Sequence, residues 1–240
     1  MLPGRAAGCI LRELGDCMKE LRYAFTIASK DVLTEIRTRE VLSSVVIFAV
    51  LVIIIFNFAF GSSEQAAGLV APGILWVTFA FTGILSLNRS FIMEKEEDCI
   101  EGLMVAPLSR EAVYLGKFFG NTFFILLIQL IVIPIFSLLF NISFFNLELV
   151  TITILATLGF ASVGTLFAAM AVNTRARELV LPVLFFPVIT PVLIAAVNAS
   201  AQVLDGQSFG AISQWMGVIG AFDVIFIVAS YLIFSFIIEE

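Results

Sequence analysis

Six long apolar runs, separated by short polar segments, limit this chain to a structure that crosses a membrane several times. Each run is about 20 residues long, and a helix of that length crosses a hydrocarbon core of about 30 Å. Helices are favoured because lipid offers the backbone no hydrogen-bond partners, and the alternating pattern of a membrane barrel is missing. The predicted spans are Val41–Phe60, Leu69–Leu87, Phe118–Phe140, Glu148–Val172, Leu179–Asn198 and Trp215–Ile238.

The composition excludes most soluble and enzymatic classes of protein. Of the 240 residues, 60% are hydrophobic and 13% are charged, whereas soluble domains carry about 25% charged residues. The chain has no histidine, which excludes histidine-ligated metal or haem and the serine and cysteine nucleophiles that depend on histidine. Gly116-Lys117 lacks the upstream glycine of a phosphate-binding loop. We therefore expect no enzyme activity, no resident metal or cofactor and no nucleic-acid partner.

The positive charges predict the orientation in the membrane. All 13 lysines and arginines precede the first predicted span, or lie between the second and third or the fourth and fifth. Loops rich in Lys and Arg stay in the cytoplasm, so we expect both termini to be cytoplasmic. Cys9, Cys17 and Cys99 then lie on the same side, where a disulfide is not expected.

The segment 1–40 is predicted to be a cytoplasmic N-terminal region that precedes a permease domain at 41–240. Its second half contains apolar residues at helical spacing with charges between them, which predicts an amphipathic helix lying in the inner membrane interface. A solvated helix is the alternative. The apolar positions are Leu21, Phe25, Ala28, Val32 and Ile36.

The segment between the second and third spans is the largest predicted cytoplasmic loop. It starts with the acidic run 94–98, continues with Ile100, Leu103 and Met104, and is interrupted at Pro107. This pattern predicts a short amphipathic helix, which either docks a partner or rests on the membrane surface.

Polar and irregular residues inside the spans are candidates for function. Pro182, Pro187 and Pro191 in the fifth span predict kinks or a broken helix, a feature of transport paths and also of static packing. Asp223 is the acid placed furthest inside a span, about a third of the way from the outer face. We expect it to line a cavity or to pair with Asn121, Gln129 or Asn198, and a neutral packing residue is the alternative.

Small residues and one tryptophan indicate helix contacts and membrane anchoring. Gly116 and Gly120, and likewise Gly164 and Ala168, have the four-residue spacing that allows close helix packing. Trp215 is predicted to be an interfacial anchor, with a ligand contact as the alternative.

Several stretches together resemble one family. They are residues 28–40, Ala71-Pro72-Gly73-Ile74-Leu75-Trp76-Val77, Leu87-Asn88-Arg89-Ser90-Phe91, Glu97-Asp98-Cys99-Ile100-Glu101-Gly102-Leu103 and Ala106-Pro107-Leu108-Ser109. In order and spacing they are similar to the haem exporter protein B family, the membrane permease subunit of the cytochrome c maturation ABC transporter complex. The similarity covers about residues 25–200 and includes Trp76, a candidate for the pathway or for helix packing.

The resemblance implies an all-α integral membrane protein with six spans, an N-terminal amphipathic helix and a cytoplasmic coupling helix between spans 2 and 3. It implies a bacterial inner-membrane location and a separate ATPase subunit that binds ATP and magnesium. Further implied partners are a second copy of the chain, other maturation membrane subunits and a haem chaperone. The complex would export haem or release the haem-loaded chaperone. The implied ATPase-docking residues are Glu97, Asp98, Ile100, Glu101, Leu103, Met104 and Pro107.

Two other functions remain open at this point. An ABC permease of the same architecture could carry a drug, a lipid or a polysaccharide. An ion-coupled secondary carrier would need several ionisable groups near the middle of the membrane, whereas Asp223 stands nearly alone there.

Overall fold

The computed structural model describes residues 22–34, 40–60, 64–96, 110–142, 146–171, 177–207 and 209–237, and these residues form seven helices without a strand. Helix α1 covers 22–34. The others are α2 (Glu40–Phe60), α3 (Glu64–Glu96), α4 (Arg110–Phe140), α5 (Leu147–Ala171), α6 (Arg177–Leu204) and α7 (Phe209–Ile237). Helices α2 to α7 are each long and apolar enough to cross a membrane, which confirms the predicted six-span, all-α fold.

Five predicted span boundaries differ from the helix ends by more than a turn, and two of them belong to α3, which covers Glu64–Glu96 rather than Leu69–Leu87. Helix α4 begins at Arg110 rather than Phe118, α6 continues to Leu204 rather than Asn198, and α7 begins at Phe209 rather than Trp215. The polar residues near these ends stay helical because the helix itself satisfies their backbone groups. Lys117, predicted to lie in a loop, is therefore inside α4 and is 2% exposed.

Helix α5 lies at the centre of the bundle and packs against α3, α4, α6 and α7. Glycines and an aromatic pair let its neighbours approach closely. A Cβ on Gly83 of α3 would lie 2.7 Å from Cζ of Phe160, whose ring meets that of Phe185 edge-on at 4.6 Å. A Cβ on Gly164 would overlap the side chain of Leu87. The close packing predicted for Gly164 is thus confirmed, and α5 leaves few gaps around itself.

Residues with positive φ end two of the helices. Asn141 (φ 53°) ends α4, and the amide of Ile142 returns a hydrogen bond to Ser137 O over 3.2 Å. Gly206 (φ 67°) ends α6, and its amide donates to Val203 O over 3.1 Å. Left-handed residues of this kind stop a helix while satisfying its last carbonyls. Both helices therefore end with carbonyl groups of their last turn satisfied.

The side chain of Trp215 joins α7 to α6. When the side-chain amide of Gln202 in α6 is turned so that both of its neighbours are satisfied, its oxygen accepts a hydrogen bond from Trp215 Nε1 over 3.0 Å and its nitrogen donates one to Ala211 O over 3.2 Å. Trp215 thus ties α7 to α6 near the end of both spans. Its predicted roles as an interfacial anchor or ligand contact stay predictions.

The sequence predicted kinks or a break at the three prolines of α6. The helix is continuous through all three, so the break is wrong, and the kinks stay a prediction. Each proline removes only one backbone donor, and membrane helices tolerate this loss when neighbouring groups compensate. Pro187 and Pro191 lie on the exposed side of α6, and Pro182 is partly buried. The two central rings therefore face away from the bundle interior.

Candidate functional site

The carboxyl group of Asp223 lies inside the bundle near the middle of α7. The residue is 5% exposed, and it follows Phe209 by about 21 Å along the helix axis. This position is deeper than the sequence predicted, because α7 starts before Trp215. Both carboxyl oxygens are buried and have no hydrogen-bond partner among the described residues.

A glycine of α5 provides the space for this carboxyl group. A Cβ on Gly159 would overlap Oδ1 of Asp223 and lie 3.5 Å from its Cγ and 3.3 Å from Cδ1 of Phe222. Asp223 therefore packs directly against the backbone of the central helix. Nothing in its sequence context identified Gly159 as the neighbour, since small residues are common in every span.

The three amides predicted as partners of Asp223 bond to other groups. Asn121 Nδ2 donates to Thr165 Oγ1 over 3.0 Å, and Gln129 Oε1 lies 2.9 Å from Thr157 Oγ1. Asn198 Nδ2 donates to the carbonyl of Ile194 in its own helix over 2.7 Å. The predicted pairing is therefore wrong, and whether Asp223 has a function stays a prediction.

Buried polar residues instead form a stripe between α4 and α5. Asn121 and Gln129 lie eight residues apart on one face of α4, and both are buried. Thr165 and Thr157 meet the two amides from the other side. Such contacts stabilise membrane helix pairs by about 0.6 kcal/mol each on average. The stripe fixes how α4 is rotated and shifted against α5.

Trp76 makes packing contacts between α3 and α6. It is buried, and its Nε1 donates to Ser200 Oγ over 2.9 Å. Beside it lies a cavity of about 10 Å³, large enough for about one water molecule. The cavity is lined by Trp76, Phe79, Ala80, Ile125, Gln129, Ala156, Thr157, Phe160, Val192 and Leu193. A role of Trp76 in a transport pathway stays a prediction.

Helix α1 packs on the first turns of α4, where two glycines of α4 leave room for Ala24, Ile27 and Ala28 of α1. Ala24 and Ala28 of α1 are buried and oppose Gly116 and Gly120 of α4. A Cβ on Gly116 would lie 3.0 Å from Ala24 O, and one on Gly120 would lie 3.6 Å from Ala28 Cα. The close packing predicted for these two glycines is confirmed. The partner helix, which the sequence did not identify, is α1.

An ion pair completes the contact between α1 and α4. Lys117 Nζ lies 2.7 Å from Asp31 Oδ2, and Lys30 Nζ lies 3.3 Å from Asp31 Oδ1. The side chain of Lys117 is 3% exposed, so its charge is almost fully removed from solvent. A buried ammonium group needs an acidic partner at this range, because its desolvation costs several kcal/mol. Asp31 is thus the residue that allows Lys117 to be buried.

The predicted ATPase-docking residues, 97–107, lie outside the described residues, and their roles stay predictions. Within the described ranges, no group of three or more acidic or cysteine side chains is placed to hold a metal ion. The sites with specific geometry are therefore Asp223 against α5, the polar stripe, and the contact of α1 with α4.

The sequence profile of one protein family, described as "CcmB protein", matches residues 22–238. The chain belongs to the CcmB family. The match includes α1 and extends through the described part of α7, so both the N-terminal helix and Asp223 lie within the family's own region. This confirms the resemblance to the haem exporter protein B family.

Relatives of known name give the same result across the CcmB region. "Heme exporter protein B" of Bradyrhizobium diazoefficiens is 29% identical over 168 residues, which cover 69% of this chain and 76% of the relative. The protein of that name from Pseudomonas aeruginosa is 26% identical over 181 residues, 75% of this chain and 81% of the relative. The protein of that name from Rhodobacter capsulatus is 29% identical over 150 residues, which cover 61% of this chain and 68% of the relative.

Proposed function

We propose that this chain is the permease subunit of an ABC transporter complex for cytochrome c maturation. The observation that carries the proposal is the CcmB family match over residues 22–238. The six membrane-crossing helices and the name "Heme exporter protein B" of its relatives support it. A separate subunit hydrolyses ATP, and the complex exports haem or releases a haem-loaded chaperone to the outer side of the inner membrane.

The proposal is tested by haem staining of c-type cytochromes in a strain that lacks the gene. Covalent haem should disappear from these cytochromes and return when the gene is restored. Normal staining in the deletion strain would exclude the maturation function and favour another cargo, such as a drug, a lipid or a polysaccharide. Staining of b-type cytochromes serves as the control, because their haem is not attached covalently.

The ATPase is proposed to dock on the loop that contains Leu103 and Met104, and the expected assembly holds two copies of each subunit. Replacing both residues with aspartate should prevent co-purification of the ATPase while leaving membrane insertion unchanged. A matched control is Asn141→Asp with Gln207→Asp, which adds the same charge at exposed positions near the opposite ends of spans. Wild-type yield of the ATPase from the loop variant would show that the docking assignment is wrong.

Both termini are proposed to be cytoplasmic, on the basis of the distribution of Lys and Arg. Asp205 is exposed in the turn between α6 and α7 and should then face the periplasm. In a chain whose native cysteines are replaced by serine, Asp205→Cys should react with a membrane-impermeant maleimide in cells with a permeable outer membrane. Reaction only after the inner membrane is opened would reverse the orientation.

A further inference from the structure

The side of α1 that faces away from the bundle combines apolar, aromatic and basic side chains. Phe25 is 75% exposed and Leu33 is 64% exposed, although the opposite side of the same helix is fully packed. Tyr23 is also exposed, as are Arg22 and Lys30. Large apolar side chains at this exposure need a covering, because leaving each in water forfeits the free energy of burying it.

The position of α1 indicates what covers it. The helix contacts Gly116 and Gly120, and the apolar stretch of α4 that is long enough to cross the membrane begins at Ala112. Helix α1 therefore lies within about two turns of the start of a span, at the level of one membrane surface. Amphipathic helices at this level place apolar side chains at the boundary between headgroups and acyl chains.

The charges of this region indicate which lipids it meets. The described part of α1 and its contact with α4 hold three cations and one carboxylate. Lys30 and Lys117 both pair with Asp31, and Arg22 lies on α1 nine residues before it. Asp31 is 17% exposed and lies between the two lysines, so the surface keeps a surplus of positive charge. Lipid phosphates with a net negative charge are the complement of such a surface.

We propose that the exposed side of α1 is a binding surface for anionic phospholipids in the adjacent leaflet. Phe25 and Leu33 contact the upper acyl chains, and Arg22 and Lys30 contact the phosphates. The surface would then prefer phosphatidylglycerol to phosphatidylcholine. This inference does not depend on the transported cargo or on the ATPase, because it uses only α1 and the membrane level of α4.

The test uses the purified full-length chain in nanodiscs, with tryptophan fluorescence as a local probe. Phe25→Trp places the probe on the surface, and the signal of the native tryptophans is subtracted with the unsubstituted chain. Quenching is compared between phosphatidylglycerol and phosphatidylcholine that carry the same nitroxide on the upper acyl chain. Phe58→Trp is the matched control, since Phe58 is 83% exposed on α2 near the opposite end of a span.

At position 25, we expect phosphatidylglycerol to quench more strongly than phosphatidylcholine, and this preference should weaken as salt is added. At position 58, the two lipids should quench equally. Arg22→Gln and Lys30→Gln should each reduce the preference by up to about fivefold. Equal quenching by the two lipids would overturn the assignment to anionic lipid. No quenching at position 25 would overturn the lipid contact itself, and quenching that is lost when the ATPase is co-purified would show that a protein covers this surface instead.

Discussion

Gly83 is the position where a single methyl group should disturb the bundle most clearly. A Cβ there would overlap the ring of Phe160, lying 2.7 Å from Cζ and 3.3 Å from Cδ1. Carbon atoms pack at about 3.5–4.0 Å, so the ring must retreat by about 1 Å. It has little room to do so, because Phe185 of α6 holds its other side at a centroid distance of 4.6 Å.

The expected cost of Gly83→Ala follows from two opposing effects. Overpacking of a filled core costs about 1–3 kcal/mol, whereas replacing glycine by alanine inside a helix gains about 0.5–1 kcal/mol. The net loss is therefore about 1–2 kcal/mol. Gly73, on the same helix, has no atom within 4 Å of an added Cβ. Gly73→Ala should therefore stabilise the helix without any cost of overpacking. The two variants should differ by about 2 kcal/mol, or about 30-fold in the unfolding equilibrium constant.

The assay is reversible unfolding of the purified chain in mixed micelles, titrated with a denaturing detergent. Phe160→Leu should relieve the overlap, so the double variant should be at least about 1 kcal/mol more stable than the sum of the two single changes predicts. Equal stability of Gly83→Ala and Gly73→Ala would refute the reasoning. Additive effects of Gly83→Ala and Phe160→Leu would show that the ring is not the cause.

Three further predictions concern the buried polar residues. Asp31→Leu alone should cost about 3–5 kcal/mol by removing the carboxylate that compensates the buried charge of Lys117, and the double change with Lys117→Met should recover much of the loss, measured by the same unfolding assay. Asp223→Ala should lower cytochrome c maturation at wild-type protein levels, measured by haem staining, because retaining an unpartnered carboxyl here costs about 2.5–3.5 kcal/mol; full maturation would contradict a functional role. Gln129→Leu should destabilise the bundle by about 1 kcal/mol, and adding Thr157→Val should cost little more, which a double-mutant cycle checks.

The number and type of the spans could be predicted because length and apolarity alone determine whether a helix crosses a membrane. The contacts of Asn121 and Gln129 could not be predicted from the sequence. Their spacing places them on one face of α4, but it does not say which neighbouring helix that face meets. They meet α5, whereas Asp223 meets α5 from another side, at Gly159.

Helix α1 shows a second limit on what the sequence could predict, which is the side of a helix that packs against protein. The predicted apolar face contained Phe25 and Ala28, and the structure divides these residues between an exposed and a buried side. Hydrophobicity does not distinguish a side chain covered by lipid from one covered by protein, because both environments are apolar. The glycines of α4 decide the packed side here. A Cβ on Gly116 would lie 2.8 Å from Cβ of Ile27, and one on Gly120 would lie 3.6 Å from Cα of Ala28, so these two positions leave room for the buried side of α1.

The contact between α1 and α4 joins residues that are made at different times during synthesis of the protein. Asp31 leaves the ribosome 86 residues before Lys117. At a synthesis rate of about 5–20 residues per second, Lys117 is made roughly 4–17 s after the carboxylate with which it pairs in the finished bundle. Two spans are made during that interval. The contact between α1 and α4 therefore forms only after both of these spans and the start of α4 have been made.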